Sequence, residues 1–342
     1  MTKSPIISLL DLHTGLEIAC PLPKNHPSRF AVALGNFDGV HAAHRALLQR
    51  ALRSAQEQSA KGLRTEAAVF CFRTLTTALI DPDSYAQLTT LEEKLTLFAE
   101  CGIRYVFLAD FPSLRDLSPS EFISDVLRGM CAVDTVCCGF NFRFGKNGSG
   151  TVTTLTEHFG AHAFVLPCLR MLPDGNISEQ DCDVSAPIIS SSEIRSLLRA
   201  GNIRAANAML QRPYSLCGTV EYGKQLGREI GFPTANLPFC ANKIVPAHGV
   251  YATVCRVGTE HYFAVSNIGI RPTVDAAGSA ANCETHLLDF NGDLYGKSIE
   301  VSFLKRLRPE QKFSSLNDLR AAISRDITAA KTYFHSENPT NI

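Results

Sequence analysis

The chain has 342 residues, of which 45% are hydrophobic and 19% are charged, and this globular composition excludes disordered and fibrous proteins and leaves room for two domains. It carries 33 basic and 33 acidic residues, and without a basic excess nucleic acid is not expected as a partner. No uncharged stretch approaches the ~18 residues of a membrane span, so no membrane partner is expected either.

The first half of the sequence alternates strand-like and helix-like segments. Short apolar runs predict strands, and longer segments with apolar residues at helical spacing predict helices. Strands are predicted at Phe30–Leu34, Glu66–Phe72, Tyr105–Ala109, Val133–Gly139 and Ala163–Pro167, and helices at His41–Ala60, Leu91–Cys101 and Pro119–Met130. This alternation predicts an α/β fold with a parallel, doubly wound sheet, which binds ligands at the carboxyl ends of its strands.

The pattern changes after about residue 185. Two helical segments are followed by short strand-like segments separated by glycine, proline and asparagine, which predicts an antiparallel β-barrel with a terminal helix. The predicted helices are Ser192–Ala200, Ile203–Leu210 and Leu316–Ala330, and the predicted strands are Ser215–Glu221, Val250–Val257, His261–Ile268, Glu284–Asp289 and Ser298–Leu304. We therefore expect one domain at residues 1–185, a second at 186–342, and a frayed tail from about His335.

The 12 cysteines include no Cys-x-x-Cys pair of the kind that holds a metal, and many of them lie in apolar segments. Cysteines in such surroundings are typical of buried, reduced thiols. The apolar run Ile6–Leu10 is too short for the central region of a secretory signal. Together these features predict a cytoplasmic protein.

The segment Leu34–His44 joins the first predicted strand of the sheet to its first helix. Gly35 and Gly39 permit a tight turn and a close approach of the backbone to a ligand. His41 and His44 are three residues apart at the start of the helix and therefore face the same way. Free N–H groups and two imidazoles at a helix N-terminus favour a polyphosphate, and they could meet the charge that develops on an attacked phosphate.

This segment resembles the His-x-Gly-His signature of nucleotidyltransferases, in the version seen in bacterial bifunctional riboflavin kinase/FAD synthetases. Two more strings carry the resemblance: Gly139–Gly145, and Ile189–Arg195, which is similar to the family's Ile-Ser-Ser-Thr-x-x-Arg motif. The resemblance implies a Rossmann-like domain that adenylates FMN. The residues it implies are His41, His44 and Arg195 for catalysis, Gly35, Asn36, Phe37, Asp38, Gly39, Ser190, Ser191 and Ser192 for ATP and its phosphates, and Asn141 and Arg143 for the flavin.

In the second half, Thr234 and Asn236 lie two residues apart and therefore point to the same side of a strand. Their hydroxyl and carbonyl oxygens are ligands that a hard cation accepts. The string Gly231–Asn236 resembles the signature of riboflavin kinases, which implies that Thr234 and Asn236 hold Mg²⁺ and ATP phosphates. The same resemblance implies a mobile flap bounded by Gly223 and Gly227, and it gives Glu284 the role of general base on the ribityl hydroxyl.

The resemblance as a whole implies a flavin-synthesising enzyme that uses ATP and Mg²⁺, with riboflavin and FMN as small-molecule substrates. Three departures keep open an alternative, a riboflavin kinase with a degenerate or repurposed nucleotidyltransferase domain. Ala43 stands in place of a glycine, Arg73-Thr74-Leu75-Thr76 replaces the family's Pro-His-Pro loop after Phe72, and Asn141 and Ser192 replace aspartate and threonine. The sequence leaves the oligomeric state open, a monomer being one option.

Overall fold

The computed structural model describes residues 7–22, 28–74, 86–179, 185–223, 227, 230–240, 242–271 and 280–337. Its internal contacts divide the chain into two compact units, Met1–Ser191 and Ser192–Ile342. The division falls a few residues after the point at which the sequence pattern changes. It lies inside a helix, so the helix that begins at Ser191 belongs almost wholly to the second unit.

The first unit is built on a seven-stranded sheet in the order β2-β1-β5-β4-β3-β6-β7. Its strands are β1 (Ile7–Asp11), β2 (Glu17–Ala19), β3 (Arg29–Leu34), β4 (Thr65–Phe72), β5 (Tyr105–Ala109), β6 (Val133–Gly139) and β7 (Ala163–Leu166). Strands β3 to β7 are mutually parallel, which confirms the predicted doubly wound sheet. Two antiparallel strands, β1 and β2, extend it beyond β5 and were not predicted.

Helices cover both faces of this sheet. They are α1 (Ala42–Ala60), α2 (Leu91–Glu100), α3 (Phe111–Leu114), α4 (Pro119–Glu121), which continues as a π-helix (Phe122–Met130), and α5 (Val152–Phe159). Short 3₁₀ turns follow at Lys146–Gly148 and Gly160–His162, and a small hairpin is formed by β8 (Arg170–Met171) and β9 (Ile177–Ser178). Ser118 is the N-cap of α4, because its side chain accepts a hydrogen bond from the backbone N–H of Glu121.

Strand β3 is buried on both faces, and its alternate residues belong to two different apolar clusters. Phe30 and Val32 pack into one cluster, whereas Ala31 and Ala33 pack into the other beneath α1 and α2. The chain leaves β3 towards β4 on one side and returns to β6 on the other. The strand order thus reverses between β3 and β6, and open α/β sheets bind their ligands at the carboxyl ends of the strands at such a point.

The second unit contains a six-stranded antiparallel sheet in the order β10-β15-β12-β13-β14-β11. Its strands are β10 (Tyr214–Thr219), β11 (Ala235–Pro238), β12 (Gly249–Val257), β13 (Glu260–Arg271), β14 (Ala280–Leu287) and β15 (Ser298–Pro309), and its helices are α6 (Ser191–Ala200), α7 (Ile203–Leu210) and α8 (Leu316–Glu337). The edge strands β10 and β11 also pack against each other, so the sheet curls into a nearly closed barrel, as predicted.

Helix α8 continues well past the predicted end at Ala330, so the expectation of a frayed tail from His335 was wrong for the residues up to Glu337. The reason is packing: Phe334 is 5% exposed, and its ring stacks on Phe263 of the barrel with the centroids 4.2 Å apart. Over the described ranges, no helix is both long enough and apolar enough to cross a membrane.

A row of hydroxyls crosses the interior of the barrel. Thr253 on β12, Ser266 on β13 and Thr285 on β14 are all fully buried. The Ser266 hydroxyl lies 2.8 Å from the hydroxyl of Thr253 and 2.8 Å from that of Thr285. These three polar groups thus satisfy one another across three neighbouring strands, as buried polar groups must.

Two candidate active sites

In the first unit, the loop Gly35–Val40 follows β3 and the loop that begins at Phe140 follows β6. The two strands are neighbours and run parallel, with Ala33 opposite Cys137, so both loops emerge at the same edge of the sheet. This edge is the one at which the strand order reverses. The structure therefore brings together two segments that were selected from the sequence as separate motifs.

The loop after β3 has an unusual backbone. Phe37 and Val40 have positive φ angles of 52° and 41°, which are rare for residues other than glycine and most unusual for a β-branched one. Gly39, with φ of 86°, takes the same region without steric cost. Strained backbone of this kind persists only where its surroundings hold it, and it is concentrated at ligand sites.

The segment before α2 holds this loop in place. One carboxylate oxygen of Asp38, which is 4% exposed, accepts hydrogen bonds from the backbone N–H groups of Leu88 at 2.9 Å and Thr89 at 3.2 Å. The N–H of Gly39 donates to the Thr89 hydroxyl at 2.9 Å. Asp38 thus supports the loop, and the contact with ATP that the resemblance implies for it stays a prediction.

His41 and His44 come together at the start of α1. His41 is the N-cap residue and is 4% exposed. The two imidazole rings stack with centroids 3.6 Å apart and planes at 19°, and the Phe37 ring packs against His44 at 5.0 Å. The helical spacing therefore places both imidazoles on one face of the helix N-terminus, where its backbone N–H groups point outward.

The predicted phosphate segment Ser190–Ser192 lies at the start of α6. The Ser191 hydroxyl donates to the carbonyl oxygen of Asp38 at 2.8 Å, so this segment meets the loop after β3 within the first unit. Ser192 and Arg195 belong to the second unit, where the Arg195 guanidinium donates to the Ser192 hydroxyl at 3.3 Å.

The two residues predicted to contact flavin, Asn141 and Arg143, are exposed on the loop after β6. A turn closes this loop, with the N–H of Phe142 donating to the carbonyl oxygen of Gly139 at 3.0 Å. Arg73, the first residue of the altered segment after Phe72, contacts a different part of the sheet. Arg73 contacts Ser8 and Glu17 of the antiparallel extension, so it ties β4 to β1 and β2; Leu75 and Thr76 lie outside the described residues.

Sequence reasoning missed one charged residue of this unit. Lys94 on α2 is 1% exposed, and its Nζ lies 3.5 Å from the carbonyl oxygen of Asn36 in the loop after β3. A signal for it exists in the sequence. Lys94 falls between Leu91 and Phe98 on the apolar face of the helix, where a charged residue is unexpected.

In the second unit, β11 is the edge strand that carries the riboflavin-kinase-like string. Asn236 on β11 lies directly opposite Glu284 on β14, so their side chains share one face of the sheet. The Nδ2 of Asn282, two residues before Glu284, donates to the Oδ1 of Asn236 at 3.0 Å. Glu284 is exposed, whereas Asn282 and Asn236 are 5% and 7% exposed. Glu284, the predicted general base, therefore lies beside the Asn236 amide, whose orientation is fixed by Asn282.

Gly223 and Gly227 bring the backbone very close to the same string. A Cβ atom at Gly223 would lie 2.5 Å from Nδ2 of Asn236. A Cβ atom at Gly227 would lie 2.4 Å from the carbonyl oxygen of Phe232 and 3.4 Å from the Thr234 hydroxyl. Only glycine fits at either position. The remaining flap residues, 224–226 and 228–229, lie outside the described part of the chain.

His286 follows Glu284 on the same face of β14 and fixes the turn before β11. Its Nδ1 lies 2.8 Å from the carbonyl oxygen of Pro233. A carbonyl only accepts, so Nδ1 carries the proton. The Phe232 ring packs edge-on against the imidazole, with centroids 5.7 Å apart. His286, for which the sequence predicts no role, thus holds the backbone immediately before Thr234.

A pocket of about 290 Å³ opens beside this string. Pro233–Asn236 form one wall and Phe290–Tyr295 form another. At the pocket, the Tyr295 ring stacks on Tyr222 with centroids 4.1 Å apart, and Tyr222 is 69% exposed. The pocket thus combines polar groups of the edge strand with a stacked aromatic pair, of which Tyr222 is exposed.

The residues present fit a hard cation that is shared with a nucleotide. The Thr234 hydroxyl and the Asn236 carbonyl oxygen are neutral oxygen donors, and Asn282 orients the amide so that its oxygen is identified as the acceptor. In the described ranges, no cluster of three or more His, Cys, Asp and Glu residues could hold a metal by itself. A cation bound here would rely on phosphate oxygens for much of its coordination, as Mg²⁺ commonly does.

Comparison with known proteins covers both units. The chain matches the FAD synthetase family model over residues 23–177 and the riboflavin kinase family model over residues 210–334. The bifunctional riboflavin kinase/FMN adenylyltransferase of Escherichia coli (strain K12) is 37% identical over 311 residues, which cover 90% of this chain and 94% of the relative. The protein of the same name in Bacillus subtilis (strain 168) is 34% identical over 317 residues, 92% of this chain and 95% of the relative.

A solved structure described as a macrolide-efflux protein from Streptococcus pneumoniae has the same fold. It aligns with a TM-score of 0.77 at 28% sequence identity, covering 90% of this chain and 95% of that one.

Proposed function

The chain belongs to the family of bifunctional riboflavin kinase/FMN adenylyltransferases, and on this premise we propose which of its residues carry the two reactions. The protein phosphorylates riboflavin to FMN with ATP. It then transfers an adenylyl group from ATP to FMN, which gives FAD and pyrophosphate. One observation carries our assignment of the kinase site: Glu284 on β14 lies opposite Asn236 on β11. Gly223 packs against the Asn236 side chain.

We propose that Glu284 is the general base of the kinase reaction. Its carboxylate would accept the proton of the ribityl 5′-hydroxyl as that oxygen attacks the γ-phosphate of ATP. Glu284 is exposed and lies opposite Asn236, a residue that lines the pocket, and this supports access for a hydroxyl of the substrate. We propose that the backbone at Gly223 and Gly227 lies close to the phosphates, as the resemblance implies. Its tight approach to the edge strand supports this, because a Cβ atom at Gly223 would clash with Asn236 and one at Gly227 with the carbonyl oxygen of Phe232. Asn282 and His286 keep the edge strand and its preceding turn in register with the base.

Thr234 and Asn236 are the residues that would hold Mg²⁺. When bound, the cation neutralises charge on the phosphate oxygens of ATP. The protein's own contribution is to fix the two oxygens: Asn236 through the amide of Asn282, and Thr234 through the turn that His286 holds. Removal of Mg²⁺ with a chelator should therefore stop FMN formation, and added Mg²⁺ should restore it.

For adenylyl transfer we propose the loop Gly35–Gly39 and the N-terminus of α1 as the ATP site. The FMN phosphate attacks the α-phosphate of ATP, and negative charge grows on the phosphate oxygens. His41 and His44 supply imidazole donors to those oxygens, and the first N–H groups of α1 add to them. The position of this loop at the reversal of strand order supports the assignment. Ser190–Ser192 and Arg195 as phosphate contacts, and Asn141 and Arg143 as flavin contacts, stay predictions from the resemblance.

We further propose residues 1–185 as the adenylyltransferase domain and 186–342 as the kinase domain, and a cytoplasmic location. Support for the location comes from the cysteines, which are free throughout the described ranges. Structural disulfides are rare in the cytosol, where thiols are kept reduced.

One assay tests the two activities separately. Purified full-length chain is incubated with ATP and Mg²⁺ and either riboflavin or FMN, and the flavins are separated by chromatography. FAD from both substrates supports the proposal. If riboflavin yields FMN but no FAD, and supplied FMN also yields no FAD, the result would favour the alternative, a kinase with a degenerate first domain. Unchanged riboflavin would refute the kinase assignment.

A further inference from the structure

Lys94 is a buried cation, and the described residues offer it little that would neutralise its charge. Its side chain is 1% exposed. Within the described part of the chain, its ammonium makes one hydrogen bond, a long one of 3.5 Å to the carbonyl oxygen of Asn36, and it forms no ion pair. Burying an ammonium with a single neutral acceptor is unfavourable, because the lost hydration is not replaced.

The ammonium lies at the edge of the sheet where the nucleotide loop begins. Asn36 belongs to the loop after β3. The Lys94 charge also affects Cys71, which lies near the end of the adjacent strand β4. Burial raises the pKa of the Cys71 thiol, and the Lys94 ammonium opposes that rise. The ammonium therefore lies near the carboxyl end of β3, within electrostatic range of Cys71 on β4.

The helix that carries Lys94 has two acidic residues in its first turn, Glu92 and Glu93, but neither forms an ion pair with Lys94 in the described part of the chain. Lys94 lies near the N-terminus of α2, which begins at Leu91, and helix N-termini carry positive partial charge. Asp38 is the acidic residue of the adjoining loop, and its carboxylate is engaged by the backbone N–H groups of Leu88 and Thr89. A neutral side chain could donate to the Asn36 carbonyl at a smaller desolvation cost, so the hydrogen bond alone does not account for a lysine here.

We propose that Lys94 is a positioning residue for adenylyl transfer: its buried ammonium fixes the Asn36 carbonyl and makes the loop after β3 electropositive towards the triphosphate of ATP. The inference rests on the proposed function of this loop. Lys94 acts through the loop and contacts no reacting atom. An incoming triphosphate would supply the ion pair that Lys94 lacks among the described residues, in a site of low dielectric where charges interact strongly.

The test separates charge from hydrogen bonding and from stability. Lys94→Gln keeps a hydrogen-bond donor but removes the charge, Lys94→Met removes both, and Lys94→Arg keeps both. The matched control is Lys61→Gln, at an exposed position after α1. FAD formation from FMN is measured against ATP concentration, FMN formation from riboflavin is measured in the same preparations, and thermal unfolding is followed by circular dichroism.

We expect Lys94→Gln and Lys94→Met to raise the KM for ATP in FAD formation by roughly tenfold or more, the change that about 1.4 kcal/mol produces. Lys94→Arg should restore much of the affinity, and Lys61→Gln should change nothing. FMN formation should be unaffected in all four. Lys94→Met should unfold at the same or a higher temperature than the wild type, because it removes a poorly compensated buried charge.

Two results would overturn the inference. A wild-type KM for ATP in Lys94→Gln would show that the charge is not needed. A parallel loss of stability and FAD formation in Lys94→Met and Lys94→Gln, without rescue by Lys94→Arg, would show a purely structural residue. Failure of the wild-type chain to form FAD would refute the proposed function of the loop itself, which is a different result from either.

Discussion

Replacement of Gly223 by alanine should disable the kinase without touching a substrate. The added Cβ would lie 2.5 Å from Nδ2 and 2.8 Å from Cγ of Asn236, where ordinary contacts begin at 3.4 Å, so one of the two groups must move by about 0.9 Å. The Asn236 amide is 7% exposed and is held by Asn282 at 3.0 Å, so it has little room to swing aside. A misplacement of about 1 Å in a positioning group costs on the order of 10²-fold in rate.

We therefore expect Gly223→Ala to form FMN about 10²-fold more slowly than the wild type and to need more Mg²⁺ for half-maximal rate. The assay is FMN formation from riboflavin over a range of Mg²⁺ and ATP concentrations, with FAD formation from supplied FMN as an internal reference that should not change. Gly218→Ala is the matched control, because its Cβ would meet only a Leu237 methyl at 3.6 Å. A near-normal rate and Mg²⁺ dependence in Gly223→Ala, or an equal loss in Gly218→Ala, would refute the steric reasoning.

Three further changes test the assignments. Glu284→Gln should slow FMN formation by ~10²–10⁴-fold with unchanged riboflavin affinity, since it cannot take the proton; near-normal turnover at saturating ATP would place the base elsewhere. Replacing both His41 and His44 by alanine should abolish FAD formation and spare FMN formation, and comparable FAD output would contradict their role. Hydrogen bonds from Arg104 lower the pKa of Asp11 to about 2, below the ~3.9 of an aspartate in the unfolded chain. The pair therefore stabilises the folded state fully above about pH 4, and this contribution is lost as the pH falls through about 2. Asp11→Asn should thus reduce the free energy of unfolding in urea at pH 7, by an amount that shrinks towards pH 2; a pH-independent difference would count against this.

The parallel core of the first unit could be predicted because each strand is a compact apolar run with its own local signal. The antiparallel extension could not. Residues of β1 are paired with β5, with Leu9 opposite Phe107, almost a hundred positions away in the chain, and β2 is short and mostly exposed. Such pairing is stabilised by contacts across the sheet, and nothing in the local sequence of Glu17–Ala19 marks a strand.

The sequence predicts which residues belong to the candidate sites better than it predicts the contacts between them. The spacing of His41 and His44 was enough to place two rings on one face, because helical periodicity is local. The bond between Asn282 and Asn236 depends on the register of β14 against β11, which is fixed only when the barrel closes. Lys94 was overlooked for a related reason, since burial of a charged side chain is decided by what packs over the helix.

The hydroxyls inside the barrel bear on how the kinase unit can tolerate mutation. A slip of β14 by two residues keeps every side chain on its own face, so polarity alone does not prevent it. Such a slip would set Leu287 or Cys283 opposite Ser266 in place of Thr285, and a buried hydroxyl would lose its partner. The same slip would carry Glu284 out of line with the groups around it. Substitutions of the buried hydroxyl residues can therefore inactivate the enzyme without touching its site, because a change in the register of β14 would displace Glu284 from Asn236.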